Sequence, residues 1–277
     1  MTLVQLNKIL KQHKLWLNSN GEEGKRAVLR NAGLRGACLT DVDLRGAYLC
    51  SADLLGAKLI DVNLEGANLT GAYLNYADLR YADLSCAVLE GADLTDANLR
   101  GVDLSDVNLK DADLSDVDLR YANLTGANLE GVNLKHVDLT GTKLEGADLK
   151  CAYLCGAFLR DACLVDIDLT GADLRGADLE GALLSHVNLE GANLTDTNLK
   201  YIVLEDVNLT NTGVYLFNGP QHDGIYNSKD GMLYIGCEIH SLKYWLHNYV
   251  DIGKDHGYTD KEIEIYGNWI KSLKELP

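Results

Sequence analysis

The sequence predicts an all-β solenoid, a rod made of stacked coils, over about two thirds of the chain. Leucine occupies every fifth position from Leu29 to Leu209, which makes 37 positions without an exception. Two residues before each leucine the chain has Ala or Val at 33 of these positions, and two residues after it has Gly, Asp or Asn at 28. The only prolines, Pro220 and Pro277, lie outside the repeat, so every repeat keeps the backbone N–H that pairing between coils requires.

A five-residue period fits neither regular secondary structure. On an α-helix, with 3.6 residues per turn, steps of five would spread the leucines over every face. On one flat strand, alternate leucines would point to opposite faces, because side chains alternate with a period of two. Both conflicts disappear if each pentapeptide forms one short side of a coil and the chain then turns a corner. Every leucine points inward, and Gly, Asp or Asn supplies the corner.

Two stretches of the repeat carry a recognisable pattern. Residues 172–184 read ADLRGADLEGALL, and residues 122–129 read ANLTGANL. They resemble the pentapeptide-repeat proteins, whose pattern is a small residue, Asp or Asn, Leu, and two outward-facing residues. The resemblance implies a right-handed quadrilateral β-helix over residues 27–211 with four repeats per coil, a number that the period alone does not provide. About nine coils at ~4.8 Å spacing give a rod roughly 40–45 Å long.

Residues 1–26, which precede the repeat, are predicted to form an N-terminal helical cap. The open end of a solenoid exposes leucines and unpaired backbone groups, so a cap is expected there. One face of a helix over residues 2–18 would carry Leu3, Leu6, Ile9 or Leu10, His13 and Leu17. A short basic amphipathic helix can instead bind a membrane or a partner. The cap is favoured because the open end needs cover.

Residues 212–277, which follow the repeat, are predicted to form a small α+β domain. Residues 225–226 and 232–235 flank a turn-rich segment and indicate a β-hairpin. An apolar stripe at Leu242, Trp245, Leu246, Tyr249 and Ile252 predicts a helix that ends at Gly253. A second helix should follow the capping box formed by Thr259 and Glu262, with an apolar face of Ile263, Tyr266, Trp269, Ile270 and Leu273.

The net charge of −16 lies entirely within the repeat, because the flanking segments cancel. Its densest part is a run of eight aspartates, for which we predict a partner-binding role: Asp93, Asp96, Asp103, Asp106, Asp111, Asp113, Asp116 and Asp118. Solubility is the alternative explanation for this run. Residues 20 apart should stack, which places five basic residues in one column beside aspartates and predicts a ladder of surface ion pairs: Arg80, Arg100, Arg120, Arg160 and Lys200.

No pattern in the sequence indicates catalysis or a cofactor, and we predict that the protein is not an enzyme. No motif positions a nucleophile with its base, and the repeat glycines are explained by corners. Cys237-x-x-His240, with His247 and His256 nearby, includes metal-ligand types but lacks a second close cysteine pair. We interpret Cys237 as a core residue and the histidines as surface residues, and expect no metal. Seven cysteines without an export signal or a membrane span indicate reduced thiols in the cytoplasm.

Two functions are consistent with these features. The chain resembles the pentapeptide-repeat proteins that protect type II topoisomerases, which are acidic rods of DNA-like width. This resemblance implies a DNA mimic that binds a DNA-binding enzyme, such as a topoisomerase or a phage-defence nuclease, and does not bind nucleic acid or a membrane. The repeat lacks the projecting loops of some such proteins, which puts gyrase in doubt as the target. The alternative is a scaffold or spacer whose C-terminal domain binds a protein partner. Either form could dimerise through a solenoid end or the C-terminal domain.

Overall fold

Residues 1–276 are described by the computed structural model, in which a solenoid connects an N-terminal helix to a C-terminal α+β unit. The helices are α1 (Leu3–Asn18), α2 (Leu242–Asp255) and α3 (Asp260–Ser272), with a 3-10 turn at Leu273–Glu275. The strands are β1 (Cys163–Val165), β2 (Leu183–Ser185), β3 (Val203–Glu205), β4 (Val214–Phe217), β5 (Gly224–Asn227), β6 (Met232–Ile235) and β7 (Glu238–Ser241). Within residues 1–276, no helix is both long and apolar enough to cross a bilayer.

The coils of the solenoid repeat every 20 residues. Parallel β-bridges join the residue before a repeat leucine to the residue 20 positions later, from Val28 with Tyr48 to Asn188 with Asn208. Each coil therefore contains four pentapeptides, and the four-sided coil implied by the family resemblance is confirmed. Most sides pair through a single bridge, so only the three stacked sides β1, β2 and β3 are long enough to form a regular parallel sheet.

The interior of the rod is a stack of leucines and small residues. All the repeat leucines from Leu29 to Leu199 are buried, whereas Leu204 and Leu209 in the last coil are only half-buried. Threonine replaces the small apolar residue at two buried positions, where its hydroxyl needs an acceptor. Thr142 donates to the Leu119 carbonyl at 3.0 Å, and Thr197 donates to the Leu174 carbonyl at 2.8 Å. The core therefore tolerates these polar exceptions without an unpaired hydroxyl.

All 37 corner residues, two positions after each leucine, have positive φ. This conformation explains the preference for Gly, Asn and Asp, which adopt it at little cost. Bulkier residues also occupy it, including Tyr121 at φ +62° and His136 at φ +58°. The left-handed region costs most non-glycine residues roughly 1–2 kcal/mol, so the coil geometry imposes this conformation on residues that do not favour it.

Helix α1 lies over the first coil and begins with a capping box formed by Thr2 and Gln5. Leu6 and His13 are buried, and Ile9 and Leu10 pack against the solenoid core. The expected inward position of Leu3 is wrong, since this side chain is 71% exposed.

The His13 side chain takes the place of the leucine carbonyl of a missing preceding repeat at this end. In the repeats that follow, the N–H of the small inward residue generally donates to the leucine carbonyl three positions earlier, as Ala32 does to Leu29. Ala27 has no such leucine, and its N–H donates to His13 Nδ1 at 3.1 Å instead. Burial lowers the pKa of His13, although the nearby Asp43 carboxylate opposes the shift. A neutral His13 therefore satisfies the first N–H of the solenoid.

The C-terminal unit contains a four-stranded antiparallel sheet in the order β4-β5-β6-β7, packed against α2 and α3. The predicted hairpin is β5 with β6, but β4 and β7 on its two sides were not predicted. The expected end of α2 at Gly253 is also wrong, because the helix continues to Asp255. Gly253 is instead a close-packing position, where an added Cβ would lie 2.7 Å from Ile263 Cγ1 of α3.

Side chains of the C-terminal unit bond three backbone groups of the last coil, and two of these groups, the Thr197 carbonyl and the Asp196 N–H, are ones that a further coil would otherwise satisfy. The Tyr234 hydroxyl donates to the Thr197 carbonyl at 3.1 Å, and the Asp196 N–H donates to the Asp230 carboxylate at 3.2 Å. The buried Asn227 amide donates to the Leu194 carbonyl at 2.7 Å. Three side chains of the C-terminal unit thus close one part of the solenoid end.

Candidate functional site: the acidic surface of the solenoid

The eight aspartates of the predicted acidic run do not lie on one face of the rod. We number the four faces by their leucines: face 1 begins with Leu29, face 2 with Leu34, face 3 with Leu39 and face 4 with Leu44, and each corner is counted with the face before it. The 20-residue register places the run on all four faces. The aspartates at corners are exposed, namely Asp96, Asp106, Asp111 and Asp116. Those on the sides are half-buried, namely Asp93, Asp103, Asp113 and Asp118.

The side aspartates hold the local turn. The Asp103 carboxylate accepts hydrogen bonds from the Ser105 N–H at 3.0 Å and the Ser105 hydroxyl at 2.7 Å. Asp113 and Ser115 repeat this arrangement at the same distances. Burial works against ionisation of Asp93, but hydrogen bonds from Asn75 and Thr95 outweigh it and lower its pKa. These carboxylates therefore have a structural role, independent of any partner.

Three of the five basic residues in the predicted column form ion pairs with their neighbours, whereas Arg100 and Lys200 lie over the rings of Tyr121 and Tyr201. Arg80 bonds Asp78 through two N–H groups at 2.8 and 2.7 Å, and Arg120 bonds Asp118 at 2.9 and 2.7 Å. These guanidinium groups hold the pKa of Asp78 and Asp118 below the usual range. Arg160 contacts Asp178 at 2.9 Å. Face 3 therefore neutralises most of its own acid, and exposed pairs of this kind contribute little stability.

The strongest acidic surface lies on face 4, which carries a net charge of −7. The other three faces carry between −2 and −4. Face 4 has two basic residues, Arg45 and Lys143, and nine acidic ones: Asp43, Glu65, Asp83, Asp103, Asp106, Glu145, Asp166, Glu205 and Asp206. Arg45 pairs with Asp43 at 2.8 Å in the first complete coil. We call face 4 the acidic face; only Asp103 and Asp106 of the predicted run belong to it.

Two local arrangements reduce repulsion on the acidic face. Asp83 and Asp103 are bridge partners in adjacent coils, and like charges in such positions oppose folding. The amide of Asn63 donates to Asp83 at 3.4 Å, and the amide of Asn123 donates to Asp103 at 3.2 Å, so an amide lies above and below the carboxylate pair. Farther along, His186 lies between Asp166 at 3.4 Å and Asp206 at 3.6 Å.

The cysteine and histidines considered for metal binding occupy different surroundings. The interpretation of Cys237 as a core residue is wrong, because the side chain is exposed at the turn between β6 and β7. Its neighbour is His256, with Cys237 Sγ and His256 Nε2 3.6 Å apart. His240 bonds Glu238 at 2.9 Å, and His247 bonds the Lys243 carbonyl on the exposed side of α2. The Cys-x-x-His spacing therefore does not bring Cys237 and His240 together.

Comparison with known proteins agrees with the observed architecture. The family model described as pentapeptide repeats matches in eight copies between residues 24 and 211. The crystal structure of HetL, a pentapeptide repeat protein involved in heterocyst differentiation regulation in Nostoc sp. strain PCC 7120, is 33% identical. That match covers 67% of this chain and 90% of HetL, with a TM-score of 0.50. The search of curated proteins found no match.

Two further solved structures are similar over shorter or more divergent stretches. A pentapeptide repeat protein from the Arabidopsis thaliana thylakoid lumen is 32% identical over 47% of this chain and 69% of its own, with a TM-score of 0.24. A trypsin-treated form of QnrB1, a plasmid-mediated fluoroquinolone resistance protein, is 18% identical over 66% of this chain and 77% of its own, with a TM-score of 0.41. The five-residue repeat, the 20-residue coil and the match to HetL together show that the chain belongs to the pentapeptide repeat family.

Proposed function

We propose that the protein is a non-enzymatic DNA mimic, whose acidic face binds the basic DNA-binding groove of an enzyme such as a topoisomerase or a phage-defence nuclease. The observation that carries the proposal is the concentration of net charge on face 4, −7 out of −16. A basic groove approaches a rod from one side, so the charge of one face decides the interaction. The basic column of face 3 would then point away from the centre of the groove.

The charge density of the rod is comparable with that of a short duplex. About nine coils at ~4.8 Å give a length of ~44 Å. B-DNA carries one charge per ~1.7 Å of axis, or roughly 26 charges over this length. The net charge of −16 is therefore about 60% of the duplex value. Long-range attraction to a basic groove should follow, with strong dependence on ionic strength.

The exposed corners of the acidic face suit electrostatic recognition. Asp106, Asp166 and Asp206 lie in one corner column and are exposed, with positive φ between 52° and 56°. These three corner carboxylates are exposed, whereas side carboxylates such as that of Asp103 are half-buried and accept the hydrogen bonds that hold the local turn. HetL supports an interaction role for this type of rod, because it is described as acting in regulation.

The proposal is tested by competition with DNA for a purified DNA-binding enzyme. The full-length protein is added to DNA supercoiling by a type II topoisomerase and to DNA cleavage by phage-defence nucleases, with DNA concentration varied. We expect inhibition of at least one enzyme that more DNA reverses and that weakens steeply as salt rises from about 0.05 to about 0.2 M. Inhibition that is independent of DNA and salt concentration, or none by any enzyme, would contradict mimicry.

The scaffold alternative places the partner site on the C-terminal unit, where Tyr244, Val250 and Ile265 are exposed. Deleting residues 212–277 does not separate the two functions, because Asn227 and Tyr234 also bond the last coil. Changing Tyr244 to Ser and Ile265 to Ser leaves those contacts in place. Once a partner is identified, loss of its binding through these substitutions alone would favour the scaffold over the mimic.

A further inference from the structure

A cluster of three metal-ligand side chains lies where the β6–β7 turn meets the end of α2. The side chains are Cys237 in the turn, Glu238 at the start of β7 and His256 at the C-cap of α2. One ligand atom from each lies within 4.8 Å of the others. A thiolate, an imidazole and a carboxylate are ligand types that zinc accepts together.

Two of the separations between the ligand atoms match those of a tetrahedral zinc site. Cys237 Sγ and His256 Nε2 are 3.6 Å apart, and His256 Nε2 and Glu238 Oε1 are 3.5 Å apart. With Zn–S at ~2.3 Å and Zn–N or Zn–O at ~2.0–2.1 Å, a tetrahedral ion separates S from N by about 3.6 Å and N from O by about 3.4 Å. The two separations that involve His256 Nε2 therefore already match those that one zinc ion would impose, and the Cys237 and Glu238 ligand atoms lie within 4.8 Å of each other.

The orientation of His256 also favours a metal. Its Nδ1 lies 2.9 Å from the Ile252 carbonyl oxygen. A carbonyl can only accept, so Nδ1 carries a hydrogen, and the other ring nitrogen, Nε2, faces Cys237 and Glu238. A backbone carbonyl that fixes the second ring nitrogen is the usual outer contact of a zinc-bound histidine.

Glu238 is oriented in a comparable way. Its Oε2 contacts His240 Nε2 at 2.9 Å, which leaves Oε1 facing His256. His240 is itself packed on Tyr244, with ring centroids 4.2 Å apart. An adjoining cavity of about 20 Å³, lined by all three ligand residues and by His222 and Tyr258, has room for a bound water. Three protein ligands with an open fourth position make a complete zinc site.

In place of the sequence-based expectation of no metal, we propose that Cys237 Sγ, Glu238 Oε1 and His256 Nε2 bind one Zn²⁺, with water as the fourth ligand and His240 as a positioning residue for Glu238. The ion would join the β6–β7 turn to the end of α2 across 18 intervening residues and so stabilise the C-terminal unit. This site is independent of the acidic face, and its test is independent of the proposed function.

The test measures zinc bound to the full-length reduced protein by mass spectrometry after dialysis, together with Zn²⁺ titration calorimetry and Co²⁺ absorption. We expect one zinc per chain, a thiolate-to-cobalt absorption band, and a melting temperature that chelation lowers. Cys237→Ser and His256→Asn should each weaken zinc binding at least tenfold, and His240→Ala should weaken it about 10–100-fold with the stoichiometry retained.

Matched controls are available in the same chain. Cys163→Ser removes another exposed thiol, and His247→Asn removes another exposed histidine of α2 whose Nδ1 also bonds a backbone carbonyl. Both should bind zinc like the native protein. The proposal is overturned if zinc is absent at equimolar concentration, or if Cys237→Ser and Cys163→Ser bind it equally. If the native protein binds no zinc but Cys237→Ser is less stable than the native protein, the proposal also fails, and the role of Cys237 is a hydrogen bond between its thiol and the His256 imidazole.

Discussion

Tyr121 lies across Gly141, the residue directly above it in the corner column of the next coil. A Cβ added at Gly141 would meet the Tyr121 ring at 2.8 Å, and the Arg100 guanidinium lies 5.5 Å from the centre of the same ring. Tyr81 and Gly101 repeat the relationship with a contact of 2.9 Å. A large corner side chain thus covers the next coil where that coil has glycine, so the corner glycines also provide space, in addition to their conformation.

Changing Gly141 to Ala should destabilise the protein more than changing Gly66 to Ala. Both positions have positive φ, so alanine at either one bears a conformational cost of about 1 kcal/mol. An added Cβ at Gly66, however, has no neighbour within 4 Å. The excess at Gly141, up to ~1 kcal/mol, comes from displacing the ring of Tyr121. Urea unfolding of both variants measures it, and adding Tyr121→Ala should remove it. Equal effects at both glycines would contradict the packing role.

His13 should make the stability of the solenoid end depend on pH. Its pKa is lowered in the folded protein from the ordinary 6.5, so the unfolded chain binds a proton first and stability falls as pH decreases through about 6.5. Protonated His13 also cannot accept from Ala27. We expect the unfolding free energy of the native protein to fall between pH 7.5 and 5.5 more than that of His13→Gln. An identical pH profile for the two proteins would exclude this role.

Removing α1 should expose the first coil and promote association. Leu6, Ile9 and Leu10 cover the solenoid core at this end, and without them apolar surface and unpaired backbone groups face solvent. We expect a chain that starts at residue 20 to elute in size-exclusion chromatography as larger species and to unfold at a lower temperature. As a control, Leu3→Ser and Val4→Ser change two exposed residues of the same helix and should stay like the native protein. A truncated chain with native size and stability would show that α1 is not a cap.

The sequence predicted the solenoid because its period is strict and each position has one environment. It could not predict β4 or β7, since Val214–Phe217 and Glu238–Ser241 are short and become strands only by pairing with the hairpin. Gly253 was interpreted as a helix end, and only its contact with α3 shows the packing reason. Cys237 and His256 are 19 residues apart, and the β6–β7 turn and α2 bring them together.

The acidic face illustrates a second limit of sequence reasoning. Eight aspartates between Asp93 and Asp118 are dense along the chain, yet a coil of 20 residues distributes them around the rod. The density of acidic residues that matters is the density along one face of the rod. The carboxylates of face 4 come from residues as far apart in the sequence as Asp43 and Asp206. Summing charge by column, once four repeats per coil are adopted, would have identified this face.

The most direct test compares two triple variants that remove equal charge from different faces. One changes Asp106, Asp166 and Asp206 to Asn on the acidic face, and the other changes Asp41, Asp61 and Asp161 to Asn on face 3. All six residues are exposed corners with positive φ between 52° and 58°, and asparagine fits such corners well, so both variants should fold. The measurement is the dissociation constant for the enzyme that DNA competition identifies.

We expect the acidic-face variant to bind about tenfold more weakly than the native protein, because three carboxylates at roughly 0.5 kcal/mol each are lost from the contact. The face 3 variant, with the same net charge, should bind within about threefold of the native protein. Equal weakening by both variants would mean that only total charge matters, and native affinity in the acidic-face variant would contradict DNA mimicry by this face.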